Sequence, residues 1–233
     1  MATGRGDDST VSALIRRPPV AIGIAAFLTF CFLVAPRQIV GTGFDARAGR
    51  EFPPYIAGGT ADLTPGLRAL VDDWSRYHLV KAVFAGLLVV LALYLGHRAL
   101  ALIPAVLLIA NVQGSLAPLS SAFSLLGSRV SESDGPLAEA LGLMRRQLTA
   151  GELSPPIDAL VNDFAWYHLV LVIMAGALTI VVLTCAVRDW RQDRRGWALA
   201  TLVVAVGAGI VAAANVSTAL EPARGLLDFL GVP

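Results

Sequence analysis

The chain has 233 residues, 56% of them hydrophobic and only 15% charged, with a mean hydropathy of +0.69. Such a composition is far too apolar for a water-soluble domain of this length and marks an integral membrane protein. Eighteen basic against seventeen acidic residues leave a net charge of +1, so there is no excess of cations to displace counterions from nucleic acid, and that class of partner is excluded. All the basic residues are arginine except Lys81, which with abundant Ala, Gly and Val points to a GC-rich bacterial genome. Cys31 and Cys185 lie inside apolar runs, where a thiol behaves as a small hydrophobe and implies no disulfide framework.

In chain order, residues 1–17 form a short polar segment ending in Arg16-Arg17. Residues 18–36 are apolar and predict a first membrane span. Only Val34-Ala35-Pro36-Arg37 follows, without a small-x-small cleavage site, so this span is expected to be a retained anchor rather than a signal peptide. Residues 37–62 are read as an outer loop. Gly41-Thr42-Gly43 follows an anchor and not a strand, so it is no dinucleotide fingerprint.

Residues 63–88 and 153–178 are two copies of one sequence, identical at 13 of 26 positions under a shift of 90. Ala110-Asn111-Val112, Leu116, Pro118, Leu126 and Gly127 then return as Ala214-Asn215-Val216, Leu220, Pro222, Leu230 and Gly231 under a shift of 104. The chain therefore reads as a tandem duplication, with 63–127 as repeat 1, 128–152 as an outer insertion and 153–233 as repeat 2. Each copy opens on Thr64-Pro65 or Ser154-Pro155, a hydroxyl N-cap with proline at the first helical position. Each is expected to run from a short outer helix into, or nearly into, a membrane helix. Spans are predicted at 77–96 and 99–116 in repeat 1 and at 167–187 and 197–220 in repeat 2. All lie close to the roughly 20 residues that cross a hydrocarbon core of about 30 Å. Between the repeats, Leu137, Leu141, Leu143, Met144 and Leu148 give 136–148 the spacing of an amphipathic helix. The expected fold is an all-α integral membrane protein with five transmembrane helices: an N-terminal anchor plus two tandem repeated helical hairpins, with an outer cap of short helices and loops.

Charge in the short segments sets the orientation. Eight arginines (5, 16, 17, 98, 188, 191, 194 and 195) against four aspartates (7, 8, 189 and 193) leave +4 on the side of the N-terminus, while the remaining ten basic and thirteen acidic residues leave −3 on the other. The positive-inside rule then places the N-terminus in the cytoplasm and the C-terminus outside, in a bacterial inner membrane.

The motif with chemical potential is D-[WF]-x-x-Y-H, Asp73 to His78 and Asp163 to His168. If the repeats are related by a two-fold along the membrane normal, His78 and His168 stand at equal depth and could ligate a haem, or join Asp73 and Asp163 at a metal. Asp and His five residues apart are turned by about 500° on a helix, so any such site has to be assembled across the repeats. The structural account of the same residues is the default: aromatics and His belong at membrane interfaces, Asp is favourable near a helix N-terminus, and duplication explains the two sets. His97 lies at the opposite membrane face. Asn111 and Asn215 are expected to fasten neighbouring helices or, alternatively, to line a cavity with the histidines; Gly86, Gly176, Gly207 and Gly209 are expected helix-packing positions. Lys81, matched by Leu171, snorkels.

No phosphate loop, nucleophile elbow, zinc-protease helix, cysteine cluster or intramembrane carboxylate is present. No catalytic residue and no cofactor is therefore assigned. The expected function is a non-enzymatic accessory or scaffold subunit of a larger cell-envelope membrane complex, with membrane lipid and other integral membrane subunits as partners. The alternatives are an outward-facing metal- or haem-binding redox protein using His78 and His168, and a transporter or lipid-binding protein.

Overall fold

The computed structural model describes residues 13–129 and 134–231. Among them there is no β-strand. In chain order the helices are α1 (Pro18–Val40), α2 (Phe44–Ile56), α3 (Pro65–Tyr94), α4 (Arg98–Leu116) and α5 (Pro118–Phe123), then a 3-10 helix (Ser124–Arg129), α6 (Gly135–Ala150), α7 (Pro155–Arg191), α8 (Arg195–Leu220) and α9 (Pro222–Phe229). Among the described residues five helices, α1, α3, α4, α7 and α8, are long and apolar enough to cross a membrane. Part of the expected 128–152 insertion lies outside the described residues.

Local sequence explains the boundaries. Pro18 and Pro19 open α1, where their missing N–H groups cost nothing, and Gly41 ends it with φ 106°, a value L side chains rarely adopt. At the start of α3 the Thr64 hydroxyl accepts the Leu67 N–H at 3.3 Å, as the N-cap pattern predicts. Ser154 occupies the matching position before α7, but its hydroxyl makes no capping bond; Pro155 and Pro156 open the helix and the Ser154 N–H instead donates to Gln147 Oε1 at 2.7 Å. The 30 and 37 residues of α3 and α7 give lengths of about 45 and 55 Å at 1.5 Å per residue, beyond a hydrocarbon core of about 30 Å. The surplus carries the charged residues, Arg68, Asp72, Asp73 and Arg76 at the start of α3, Asp158 and Asp163 at the start of α7, and Arg188, Asp189 and Arg191 at its end.

The stretch 37–62, expected as loop, contains the 13-residue α2. Its buried residues Phe44, Ala48, Phe52, Tyr55 and Ile56 follow helical spacing, and Pro53-Pro54, which obscures that spacing, falls in the last turn, where the helix ends within a few residues.

The contacts divide the chain into two compact units. One consists of α1, α3 from Arg76 onward and α4 as far as Val112. Its large apolar side chains point outward, among them Ile22, Phe27, Phe30, Val90, Leu100 and Ile103, each more than 60% exposed. In water that would be a liability, whereas hydrocarbon solvates such faces as well as a core would. The Lys81 ammonium lies 4.7 Å from the Phe32 ring centre and 5.3 Å from that of Tyr77, which ties α1 to α3 through cation–π contacts.

The other unit holds α2, the start of α3, the end of α4 and every element from α5 on. Its short helices and the first turns of α3 and α7 build a close core: Phe52, Tyr55, Leu67, Leu70, Phe123, Leu126, Leu141, Met144, Ile157, Leu160 and Leu226 are each at most 2% exposed. Each such side chain stabilises the fold by roughly 1.5–3 kcal/mol relative to leaving it in water. Phe123 meets Phe52 edge-on at 5.2 Å and Phe229 at 5.6 Å. The amphipathic α6 is present as predicted, and it turns Leu137, Leu141, Met144 and Leu148 into this core. Arg145 closes the end of the unit by donating to the Leu230 carbonyl at 3.3 and 3.2 Å.

Candidate functional site

The two polar pairs that recur in sequence, His78/His168 and Asn111/Asn215, are joined crosswise in space. In the first hairpin His78 Nδ1 lies 2.9 Å from Asn111 Oδ1, linking α3 to α4. In the second, His168 Nδ1 lies 2.6 Å from Asn215 Oδ1, linking α7 to α8. The amide orientation follows from the rest of the bonding. Asn111 Nδ2 donates to the Leu107 carbonyl at 2.7 Å and Asn215 Nδ2 to the Val211 carbonyl at 2.8 Å, one turn back in each helix. That leaves Oδ1 facing the imidazole, so a neutral ring must carry its proton on Nδ1 and keep its lone pair on Nε2. An Asn that would weaken a helix interior by competing for backbone bonds is here satisfied on both sides.

Aromatic rings hold the imidazoles in place. Tyr77 stands edge-on to His78 at 5.9 Å, Tyr167 edge-on to His168 at 5.4 Å, and Phe164, one turn earlier, meets His168 at 4.5 Å.

The aspartates of the same motif go elsewhere. Asp73 Oδ2 accepts from Arg47 Nη1 of α2 at 2.9 Å, an ion pair about 30% exposed. Asp163 Oδ2 accepts the Ser120 N–H at 2.7 Å. Ser120 is the third residue of α5, whose N-cap, Ala117, has no side chain that can cap. Asp163 therefore caps that short helix from another element, satisfying a donor the helix cannot satisfy itself. Nearby, the Tyr55 hydroxyl donates to the Pro156 carbonyl at 3.2 Å. Burial and, second, the charge of Asp163 push the Tyr55 phenol up to about 12.

Each predicted site residue thus has a defined place. His78 sits with Asn111, His168 with Asn215, Asp73 with Arg47 and Asp163 with Ser120. Among the described residues no three His, Cys, Asp or Glu side chains gather to hold a metal ion. His97 falls in the turn between α3 and α4, nineteen residues from His78 and so about 28 Å along the helix. The glycines divide. A Cβ on Gly86 would meet Leu108 at 3.9 Å, and one on Gly209 would meet Thr179 at 3.6 Å, both ordinary contacts. Among the described residues a Cβ on Gly176 or Gly207 would meet nothing within 4 Å.

Sequence reasoning missed the His–Asn pairing. Its signal was present, because both members recur in both copies at the same ends of the same paired helices. It also missed Trp74 Nε1 donating to Ser121 Oγ at 2.9 Å and Gln113 Nε2 donating to the Tyr167 carbonyl at 3.0 Å. No protein-family model, curated protein or solved structure matches the chain.

Proposed function

We propose that the chain is a non-enzymatic accessory subunit that scaffolds a larger membrane complex of the bacterial cell envelope. In this reading an N-terminal anchor is followed by two tandem hairpins, the N-terminus is cytoplasmic, and the short-helix core around Phe52 and Phe123 forms an outer cap. The observation that carries it is that both histidines of the recurring motif are engaged by asparagine amides between the helices of their own hairpins. The motif is then accounted for as a fastener, and what remains outward is apolar helix surface, such as Val203 and Leu220 of α8, each more than 70% exposed. Lipid and neighbouring membrane subunits are the partners such faces fit.

Gentle detergent extraction of the tagged chain from native membranes tests this. A particle containing further integral membrane proteins is expected, and the chain running alone after cross-linking would overturn it. The topology has its own test: reporter fusions at Arg194 and after Pro233 should respond oppositely, and equal responses would sink the five-span arrangement.

A second reading, a redox protein binding metal or haem through His78 and His168, is favoured by one observation. The asparagine bond fixes the tautomer with its lone pair on Nε2, the form in which a second partner on Nδ1 tunes a ligating histidine. Metal analysis and an optical spectrum of the purified protein separate the two. A stoichiometric metal or haem lost in both His78→Gln and His168→Gln would replace the scaffold assignment.

A further inference from the structure

The turn joining α7 to α8 carries four arginines in eight residues, Arg188, Arg191, Arg194 and Arg195, all exposed. The carboxylates between them do not neutralise it. Asp189 is turned inward, at 7% exposure, and Asp193 lies 3.5 Å from Arg195. Among the described residues Arg188, Arg191 and Arg194 have no ion-pair partner. Trp190 and Trp197 flank the group, 55% and 61% exposed, with the Arg195 guanidinium 5.9 Å from the Trp190 ring. The turn itself is fixed: the Arg194 N–H donates to the Asp189 carbonyl at 2.9 Å, the Gln192 N–H to that of Arg188 at 3.1 Å, and Asp193 takes the left-handed conformation at φ 59°.

We propose that this turn is a docking site for the headgroup of an anionic phospholipid. Its position supports that occupant, since it terminates two helices apolar enough to cross a membrane. Guanidinium groups match a phosphodiester in charge and planar donor geometry. Indole rings prefer the headgroup depth, so both tryptophans flank the arginines where a lipid phosphate lies. A soluble acidic partner would account for the arginines but leave two large apolar rings in water. The site lies within one hairpin, holds for either membrane orientation, and does not depend on the scaffold reading.

The test uses the full chain with Trp74→Phe and Trp166→Phe, which leaves Trp190 and Trp197 as the only indoles. It is reconstituted in bilayers containing brominated phosphatidylglycerol or brominated phosphatidylcholine, and tryptophan quenching is read. At low salt the anionic lipid should be preferred by about fivefold or more. The preference should collapse toward unity near 1 M salt, where the Debye length is about 3 Å. Arg188→Gln/Arg191→Gln/Arg194→Gln should abolish it, and the corresponding Lys variant should keep part of it. If the Gln variant fails to reconstitute, the salt series and lipid retention in native mass spectrometry of the unaltered chain decide. Equal quenching by the two lipids overturns the proposal and leaves the arginines to an acidic protein. A preference unchanged by the triple Gln substitution overturns it as well. Inorganic phosphate at matched ionic strength should compete no better than chloride; strong competition by phosphate alone would make free phosphate the ligand instead.

Discussion

The two hairpins share the motif Asp-aromatic-x-x-Tyr-His at the head of α3 and α7, yet they resemble one another unevenly. Where the helices of each pair face one another they are alike: imidazole to amide oxygen, amide nitrogen to the carbonyl one turn back, tyrosine edge-on to the ring. Toward the start of α3 and α7 they part. Trp74 of the first copy gives its indole N–H to Ser121, whereas the second copy has Phe164 at that position and Gly225 in place of Ser121. The exchange is physically coupled. An indole N–H out of water needs an acceptor and a phenyl ring does not, while a Cβ on Gly225 would lie 2.5 Å from Thr218 Cγ2 and 3.0 Å from the Phe164 ring. The carboxylates have parted too, Asp73 to an arginine and Asp163 to a helix end. The two hairpins thus agree in the bonds between their long helices and differ in how the short-helix core is packed.

The coupled exchange offers the largest effect. Gly225→Ser should overpack the second copy by about 1–3 kcal/mol, because the added Cβ would fall 2.5 Å from Thr218 Cγ2 and 3.0 Å from the Phe164 ring, so that both must shift. The reverse change in the first copy, Ser121→Gly, removes one hydrogen bond and should cost about 1 kcal/mol. Thermal unfolding in detergent compares them. Equal costs would break the claim that Trp with Ser and Phe with Gly are matched sets.

The carboxylates come next. Asp163→Ala should cost about 1–2 kcal/mol, since it strips α5 of its cap. Asp73→Ala breaks a partly exposed ion pair that water screens, and about 0–1 kcal/mol is expected. A larger loss at Asp73 would show that the ion pair to α2 has taken over as the anchor.

Smaller still is the pairing energy within each fastener. Double-mutant cycles of His78→Gln with Asn111→Leu, and of His168→Gln with Asn215→Leu, should each give a coupling of about 0.6–2 kcal/mol and agree with one another. A coupling in one copy only would mean that the shared geometry conceals different roles.

Much of this was legible in the sequence, for identifiable reasons. Five apolar stretches near 20 residues long fix five long helices, because only a helix satisfies its own backbone across lipid. The amphipathic α6 was legible from Leu137, Leu141, Met144 and Leu148, all of which are buried. Helix α2 was not, since Pro53-Pro54 and flanking glycines read as loop while its apolar stripe ran through them. The partners of the motif were harder. His78 and Asn111 are 33 residues apart, and only the register of α3 against α4 brings them level, a quantity that hydropathy does not encode. The cap of Asp163 on α5 and the ion pair of Asp73 with Arg47 depend on how short helices fold back, where chemistry at one residue says little about its neighbour 43 or 26 positions away.

The finest difference between the copies is electrostatic, and Tyr55 reports it. Its phenol sits in the core and is raised from 10.0 to about 12, first by burial and second by the charge of Asp163. A folded value above the unfolded one means the folded chain holds its proton longer. The stabilising contribution is therefore complete below pH 10 and is lost as the pH rises through about 12, so alkaline unfolding should steepen in that window. Phenolate absorbance, read as the difference between the parent and Tyr55→Phe, isolates this group from the other three tyrosines. Asp163→Asn should lower its midpoint while leaving it above 10, because burial remains the larger cause. Asp73→Asn, whose charge is already met by Arg47, should leave the midpoint where it was. If the two substitutions moved Tyr55 alike, the aspartates would be electrostatically equivalent, and the difference between the hairpins would be one of packing alone.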